Sequence, residues 1–505
     1  MGYRRLLVLA LACSSFISEA CLGQIEDPPQ WATDSKGCKF ASPFGKGPAP
    51  APDTILWSGE CQDGYFSGAG TLMAADGSIL KGDFVAGSIT RGVLELAGGK
   101  RYEGQFKGNR AEGRGTLQFA DGAAMRSAFS KGKSFGTVEL MWPNGDLYQG
   151  EIDHDRLFLE GRGKMVYASG AVYEGEWHSN EIEGHGVYTE ANGTIRTGTF
   201  IRGQLTGEAT IAYANGVKYR GQVKVGSAHG KGIMDYVDGS RYEGEFAAGQ
   251  YNGPGVLRYA NGSVLEAQFL AGTAQGKGKE IYANGDVYEG EFLGGRRHGV
   301  GKLNGWDGSV SEGDWKSGEL TGKCNVKTKH LVYRGECLAG KRSGRGYLED
   351  SRGNTTYDGD FRDGVVHGKG LLKGKDYTYD GEFKAGEKEG RGKETSAESG
   401  DYEGEFYDGA RHGRGRLELT SPAGVVLSYE GMFASGKLHG AGVLTIEKVR
   451  LDGEFEAGIF IRGTIDAGTR KFELDVKNDQ VLEVLPDGSK RPIDSEELPS
   501  YGIDS

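Results

Sequence analysis

The chain has 505 residues, among them 89 glycines and only 12 prolines, with 10% aromatics and a formal net charge of −11. Glycine at this level without a Gly-X-Y period excludes collagen, and the aromatic content excludes a disordered linker. The acidic balance disfavours nonspecific nucleic-acid binding, which relies on Lys and Arg against phosphate.

Residues 1–23 open with Arg4 and Arg5, continue as an apolar run from Leu6 to Ile17 and end in small residues. This predicts a secretory signal peptide, too short for a stop-transfer helix, and so a secreted or periplasmic location. Leu6 stands where a myristoylation signal needs Ser or Thr. Lipoprotein anchoring through Cys21 or Cys13 is the alternative, for which Glu19 and Ala10 are poorly placed. Cleavage after Gly23 would leave four cysteines, Cys38, Cys61, Cys324 and Cys337, and an even number in an exported chain predicts disulfides. Residues 24–52 form a leading segment that ends in Pro48-Ala-Pro-Ala-Pro52.

From 53 to 463 one phrase recurs, as in "RYEGEF" at Arg241–Phe246, "VYEGEF" at Val287–Phe292 and "DYEGEF" at Asp401–Phe406. Aligned on its middle residue, it has eighteen copies spaced 22 to 27 residues apart and most often 23. Five residues before the middle residue stands Asn-Gly or Asp-Gly, as at Asn144-Gly145, Asn192-Gly193 and Asn284-Gly285. These dipeptides predict two-residue type I′ turns, so each copy reads as one β-hairpin. Strand alternation then sets Tyr288, Gly290 and Phe292 on one face and Glu289 and Glu291 in water. Gly290 leaves room for a ring from a neighbouring strand. The element His298-Gly299-Val300-Gly301 opens the next hairpin. The predicted fold is all-β, an elongated single-layer solenoid of stacked antiparallel β-hairpins. Residues 464–490 read as a C-terminal capping hairpin with a turn at Asp487-Gly488, and 491–505 as a polar tail.

The pattern "YEGEFxxGxxHGxG", with its near-23-residue period, resembles the MORN repeat (membrane occupation and recognition nexus) over some four-fifths of the chain. Ser127 and Ala267 depart from it at the middle glycine, and Ile152, Val223 and Cys337 at the closing aromatic. The resemblance implies a repeat scaffold. It also implies a contact with anionic phospholipid, for which Arg296, Arg297, Lys341, Arg342 and Arg411 are the candidate headgroup ligands.

Cys61 and Cys337 both stand at the closing-aromatic position. Cys324 is expected opposite Gly335, diagonal to Cys337 on the same face, and the pairs Cys38–Cys61 and Cys324–Cys337 are expected as structural disulfides. Zinc would need the two pairs to converge across some 260 residues. His229, His298, His367, His412 and His439 share one repeat position, so they form a spaced row with no cage for a metal. The Gly-x-Gly elements precede no helix, as a nucleotide site requires, and no nucleophile elbow or His-Glu-x-x-His is present. The sequons at Asn192 and Asn261 sit in hairpin turns, which accounts for them; a third lies at Asn354.

No enzyme, cofactor or metal is expected. The expected function is an exported scaffold that offers an aromatic-lined surface to a protein or cell-envelope partner. Its candidate contacts are Tyr173, Trp177, Tyr242, Phe246, Tyr288, Phe292, Tyr402 and Phe406, for which packing between strands is the competing role. The alternative is a peripheral module for anionic phospholipid or polysaccharide.

Overall fold

The computed structural model describes residues 31–41 and 51–493. The signal-peptide expectation, the residues up to Pro50 of the proline segment and most of the polar tail lie outside them. Among the described residues the fold is all-β, with two short 3₁₀ turns at Pro52–Thr54 and Val476–Asn478. The chain divides between Tyr251 and Asn252 into two compact units. From Tyr65–Met73 onward, strands that follow one another in sequence within each unit pair antiparallel; before it, Leu56–Trp57 and Glu60–Gln62 both pair with Tyr65–Met73, and Lys39–Ala41 meets it in parallel. In the first unit Leu147–Asp153 pairs with Phe158–Val166, which pairs with Val172–His178. In the second, Val264–Leu270, Thr273–Ile281, Val287–Leu293 and Arg296–Asn304 pair in the same way.

Two kinds of turn alternate, and the sequence assigned the tighter kind to the wrong end of the hairpin. At the Asx-Gly turns the loop has three residues. Gly145 N–H donates to Trp142 (2.9 Å) and Trp142 N–H to Asp146 (3.0 Å), and of Asn144 and Gly145 only the glycine has positive φ, +94°. This is a type I turn followed by a left-handed glycine. Asn144 is selected for another reason: its Oδ1 accepts the Asp146 N–H at 3.0 Å. The two-residue turn with both residues at positive φ lies after the closing aromatic, as at Gly294 (+59°) and Gly295 (+75°) or Val225 (+52°) and Gly226 (+73°). Its glycine N–H donates to the preceding hairpin, Gly226 to Leu205 and Gly295 to Ala274, both at 3.0 Å.

The residue after Asx-Gly joins one hairpin to the next along the opposite edge. Asp146 Oδ1 accepts from Ala168 N–H (2.8 Å), Thr194 Oγ1 from Ala214 (3.2 Å) and Ser263 Oγ from Ala283 (3.1 Å). Thr194 and Ser263 are buried, so the sequons at Asn192 and Asn261 are spent on turn chemistry.

Both ends of the repeat array among the described residues are covered. Phe40 stacks on Phe66 (4.9 Å between centroids), which stacks on Trp57 (4.1 Å). The cysteine pair Cys38–Cys61 ties this leading hairpin down, with Cα atoms 6.0 Å apart. At the other end the strands Lys471–Asp475, Gln480–Val484 and Lys490–Pro492 follow the last phrase. There Glu483 pairs with Arg470 (2.7 Å) and Arg491 (2.6 Å) beside the buried Phe472.

Candidate functional site

The phrase builds its own core. Tyr288 does not receive a neighbour over Gly290; its own ring folds across Gly290 and across Gly301 on the next strand. Its hydroxyl donates to the Glu291 carbonyl at 3.0 Å. Burial pushes that hydroxyl's pKa up to about 12. A methyl group on either glycine would collide with the ring. Among the described residues ten tyrosines, from Tyr102 to Tyr429, are seen to pack this way over both glycines. Where the tyrosine is absent the constraint lifts: Met125 accompanies Ser127, Leu265 accompanies Ala267, and Ser311 accompanies Cys324.

Where the closing residues are aromatic, each tyrosine also meets two of them edge to face; Tyr148, Tyr219 and Tyr333, whose own closing residues are Ile152, Val223 and Cys337, meet one. Tyr402 lies 5.1 Å from Phe406 and 5.0 Å from Phe433, and Tyr429 continues the row to Phe433 and Phe455, each at 5.1 Å. Such pairs prefer this arrangement because the ring edge is positive and the face negative. The expected binding rings are therefore interior. Tyr173, Trp177, Tyr242, Phe246, Tyr288, Phe292, Tyr402 and Phe406 are all 4% exposed or less. Their place is between strands, and they present no surface to a partner.

The second acid of the phrase is likewise not simply in water. A bulge follows the middle glycine, so that Gly290 faces Gly301 but Glu291 faces His298. The bulge leaves Gly299 at φ +57° with the Glu291 carboxylate lying over it. In equivalent units that carboxylate accepts the next N–H, Arg162 to Glu151 and Lys369 to Asp360, both at 3.1 Å. The first acid faces solvent and pairs across strands, as Glu289 does with Lys279 at 2.7 Å.

The candidate headgroup cations divide into two groups. Arg296 and Lys341 are exposed. Arg297 lies over the Trp315 ring at 4.4 Å, Arg342 over Phe361 at 5.6 Å and Arg411 over Tyr402 at 5.1 Å. Burial lowers the pKa of Arg342. These three cover the aromatic row, where other units place Leu205 or Leu438. Arg411 is also committed to Glu394, a residue the sequence reading missed. Glu394 faces both Tyr379 and Tyr402, a position held by Leu303 or Leu417 elsewhere, and its side chain is 6% exposed. It pairs with Arg411 at 2.8 Å and with Lys388. Burial raises its pKa, but the bonds from Lys388 and Arg411 outweigh this and hold it below the ordinary range. An acid at a leucine position was the available signal.

Cys324 faces Gly335, as the spacing predicts, and is disulfide-bonded to Cys337 with Cα atoms 5.9 Å apart. Cys324 fills a core-glycine place and Cys337 a closing-aromatic place, with Ser311 where the ring would stand. The disulfide thus occupies the interval between the ring pairs Tyr288–Trp315 and Tyr333–Phe361.

Ser134 Oγ lies 2.9 Å from His154 Nδ1, and His154 Nε2 lies 2.9 Å from the Gly136 carbonyl. Both imidazole nitrogens are engaged, and the pair closes an irregular turn in which Leu157 N–H donates to Asp153 at 2.7 Å. Among the described residues no three His, Cys, Asp or Glu side chains group as metal ligands, and no helix is long and apolar enough to cross a membrane. Among the described residues, the polar face of each unit carries a hollow. One runs over the strands from Ser88–Glu95 to Leu147–Asp153, and a smaller one lies beside Glu312, Lys323 and Arg345.

The chain is similar to the TCP10 domain of CPAP from Danio rerio, with 14% identity over 39% of this chain and 93% of that one and a TM-score of 0.25. It is similar to the TCP domain of SAS-4 from Drosophila melanogaster, solved with a proline-rich motif of Ana2, with 18% identity over 32% and 87% and a TM-score of 0.22. A virginiamycin B lyase of Staphylococcus aureus gives 10% identity over 50% and 96% and a TM-score of 0.12. No curated protein sequence matches. The model of the MORN repeat matches ten segments: 102–124, 173–195, 219–241, 242–264, 266–287, 288–310, 357–378, 379–400, 402–421 and 429–447. These ten segments are MORN repeats.

Proposed function

We propose that the chain is an exported, non-enzymatic scaffold of about eighteen repeats that engages a protein or cell-envelope partner through its polar face. One observation carries this reading: a regular phrase buries its tyrosine and closing aromatic, so what recurs outward is the first acid and its cross-strand neighbours, as with Glu289 and Lys302. A ladder of this kind binds by many weak contacts in register, and its strength is avidity. Two cysteine pairs in a chain that starts with a signal-like segment fit an oxidising compartment.

The test is photo-crosslinking in the native cell from Glu289 and Lys302 on the polar face, combined with the mass of the mature protein. Export predicts a chain beginning after residue 23 with no free thiol, and binding predicts one recurrent adduct from both positions. A chain retained in the cytosol with free thiols overturns export, and absence of an adduct overturns the binding face. The phospholipid reading is checked by co-sedimentation with anionic vesicles. With three of its five cations lying on rings, no retention is expected.

A further inference from the structure

The hollow over Ser88–Glu95 to Leu147–Asp153 is a built groove in the first unit, with a volume of about 1140 Å³. Its floor is the backbone of the glycine row, Gly92, Gly104, Gly115 and Gly150, interrupted by Ser127. Two rows of side chains wall it, and the pairing register defines both. One wall has two runs that meet at the bulge after Gly104: Arg91 faces Gln105, which faces Glu112 on the next strand, and Arg114 faces Ala128, which faces Phe135. The other runs Val93, Glu103, Thr116, Arg126, Glu139 and Gln149 across six. With strands ~4.8 Å apart, the groove is ~24 Å long and lies perpendicular to them.

This stretch departs from the regular phrase at the positions that matter for a ligand. Most repeats place an acid over the bulge, such as Glu151 and Glu291, whereas Thr199, Gln222, Gln268 and Met432 also stand without one. Here the corresponding residues are Gln105 and Ala128, so two carboxylates are gone. Arg91 and Arg114 remain exposed and carry no ion pair among the described residues. In the other row the charges are matched: Glu103 by Arg101 at 2.7 Å, and Glu139 by Arg126 at 2.8 Å. The place opposite Ala128, held by histidine in other units, is taken by Phe135, whose side chain stands 51% exposed beside the floor. An acidic protein therefore holds a strip with two exposed guanidiniums in no ion pair among the described residues, Asp83 facing Arg91 across the strands, a phenyl face and a rank of amide, hydroxyl and carboxylate groups.

We propose that this groove binds an acidic polysaccharide, a chain of sugars bearing carboxylates. Arg91 and Arg114 pair with the carboxylates, Phe135 stacks on the apolar face of a sugar ring, and Gln105, Thr116 and Gln149 bond hydroxyls. A peptide is the poorer occupant. The floor backbone is consumed by the sheet, so no strand can be added, and one phenyl ring is the sole large apolar contact among the lining residues. The proposal draws on the exported-scaffold reading only for access to such a polymer.

The test is calorimetric titration of the purified mature chain with hexagalacturonate, with neutral maltohexaose and a hexaglutamate peptide as comparisons. The acidic sugar should bind, more weakly as salt rises, and better than either comparison. The double variant Arg91→Ala with Arg114→Ala should weaken it ~10-fold or more, as expected for lost hydrogen bonds to a charged group. Phe135→Ala should weaken both sugars and leave the salt dependence intact. All three side chains are exposed, and the disulfide content and circular dichroism of each variant report folding. No binding of hexagalacturonate by the wild-type chain overturns the proposal without needing any variant. So does binding that the variants leave unchanged, and so does tighter binding of hexaglutamate, which would mark a peptide site. Failure of export alone would appear in the cell and leave these titrations positive.

Discussion

The hydroxyl of Tyr288 donates to the carbonyl of Glu291, and the ring that carries it covers Gly301 on the adjacent strand. The same side chain thus holds its own strand in the bulged path and seals the backbone of the next one. Gly301→Ala should destabilise the second unit by ~1–3 kcal/mol, the cost of forcing atoms into a filled space. Tyr288→Phe, which loses one hydrogen bond, should cost ~1 kcal/mol. Urea denaturation followed by tyrosine fluorescence compares the two; a Gly301→Ala variant as stable as wild type would refute the packing.

Val225 is a β-branched residue held at φ +52° with 63% of its surface in water. Left-handed backbone costs an L-residue ~1–2 kcal/mol, and little packing is lost on truncation. Val225→Gly should therefore stabilise the first unit by up to ~1 kcal/mol, since glycine's gain is partly offset by its greater freedom when unfolded. A lower melting temperature would show that the valine side chain has a contact that matters.

The disulfide and the aromatic row fill the same space by different chemistry. Cys324→Ala should cost the second unit ~3 kcal/mol, the value for closing a loop of this length. A triple variant, Ser311→Tyr, Cys324→Gly and Cys337→Phe, restores the regular phrase. It should recover most of that loss and become indifferent to reductant. Denaturation with and without reductant distinguishes the three proteins.

Glu394 gives the second unit a pH dependence of known sign. Its folded pKa lies below its unfolded one, so its contribution is complete above the unfolded value of ~4.3 and disappears as pH falls through the folded value. Glu394→Gln should remove that part of the acid sensitivity, while costing ~3–5 kcal/mol at neutral pH because Lys388 and Arg411 lose their partner. Replacing Lys388, Glu394 and Arg411 together by Leu, the residue other units use, should come close to wild type. Melting curves across ~pH 3–7 decide between these outcomes.

Much of this was legible before any coordinates. The period, the strand alternation and the pairing of Cys324 with Cys337 follow from spacing along one chain, because adjacent antiparallel strands convert sequence offset directly into register. The identity of the two turns was not legible. Asn-Gly suits a two-residue turn and a three-residue turn alike, and the choice depends on the bonds Trp142 makes with Gly145 and Asp146. Nor could alternation alone say whether Tyr402 and Phe406 face a partner or one another.

What the sequence by itself determined, then, is the repeat: a hairpin with one aromatic and glycine face and one charged face. Tertiary structure decided what each face is for. A tyrosine ring is wider than its own strand, so it buries itself over the neighbouring glycine and takes the aromatic face out of contact with solvent. The bulge draws the second acid onto the backbone for the same reason, to satisfy an N–H that the ladder has released. What remains outward is the polar face, and there the substitutions Gln105, Ala128 and Phe135 acquire meaning only because strand pairing sets Gln105 beside Arg91 and Ala128 between Arg114 and Phe135.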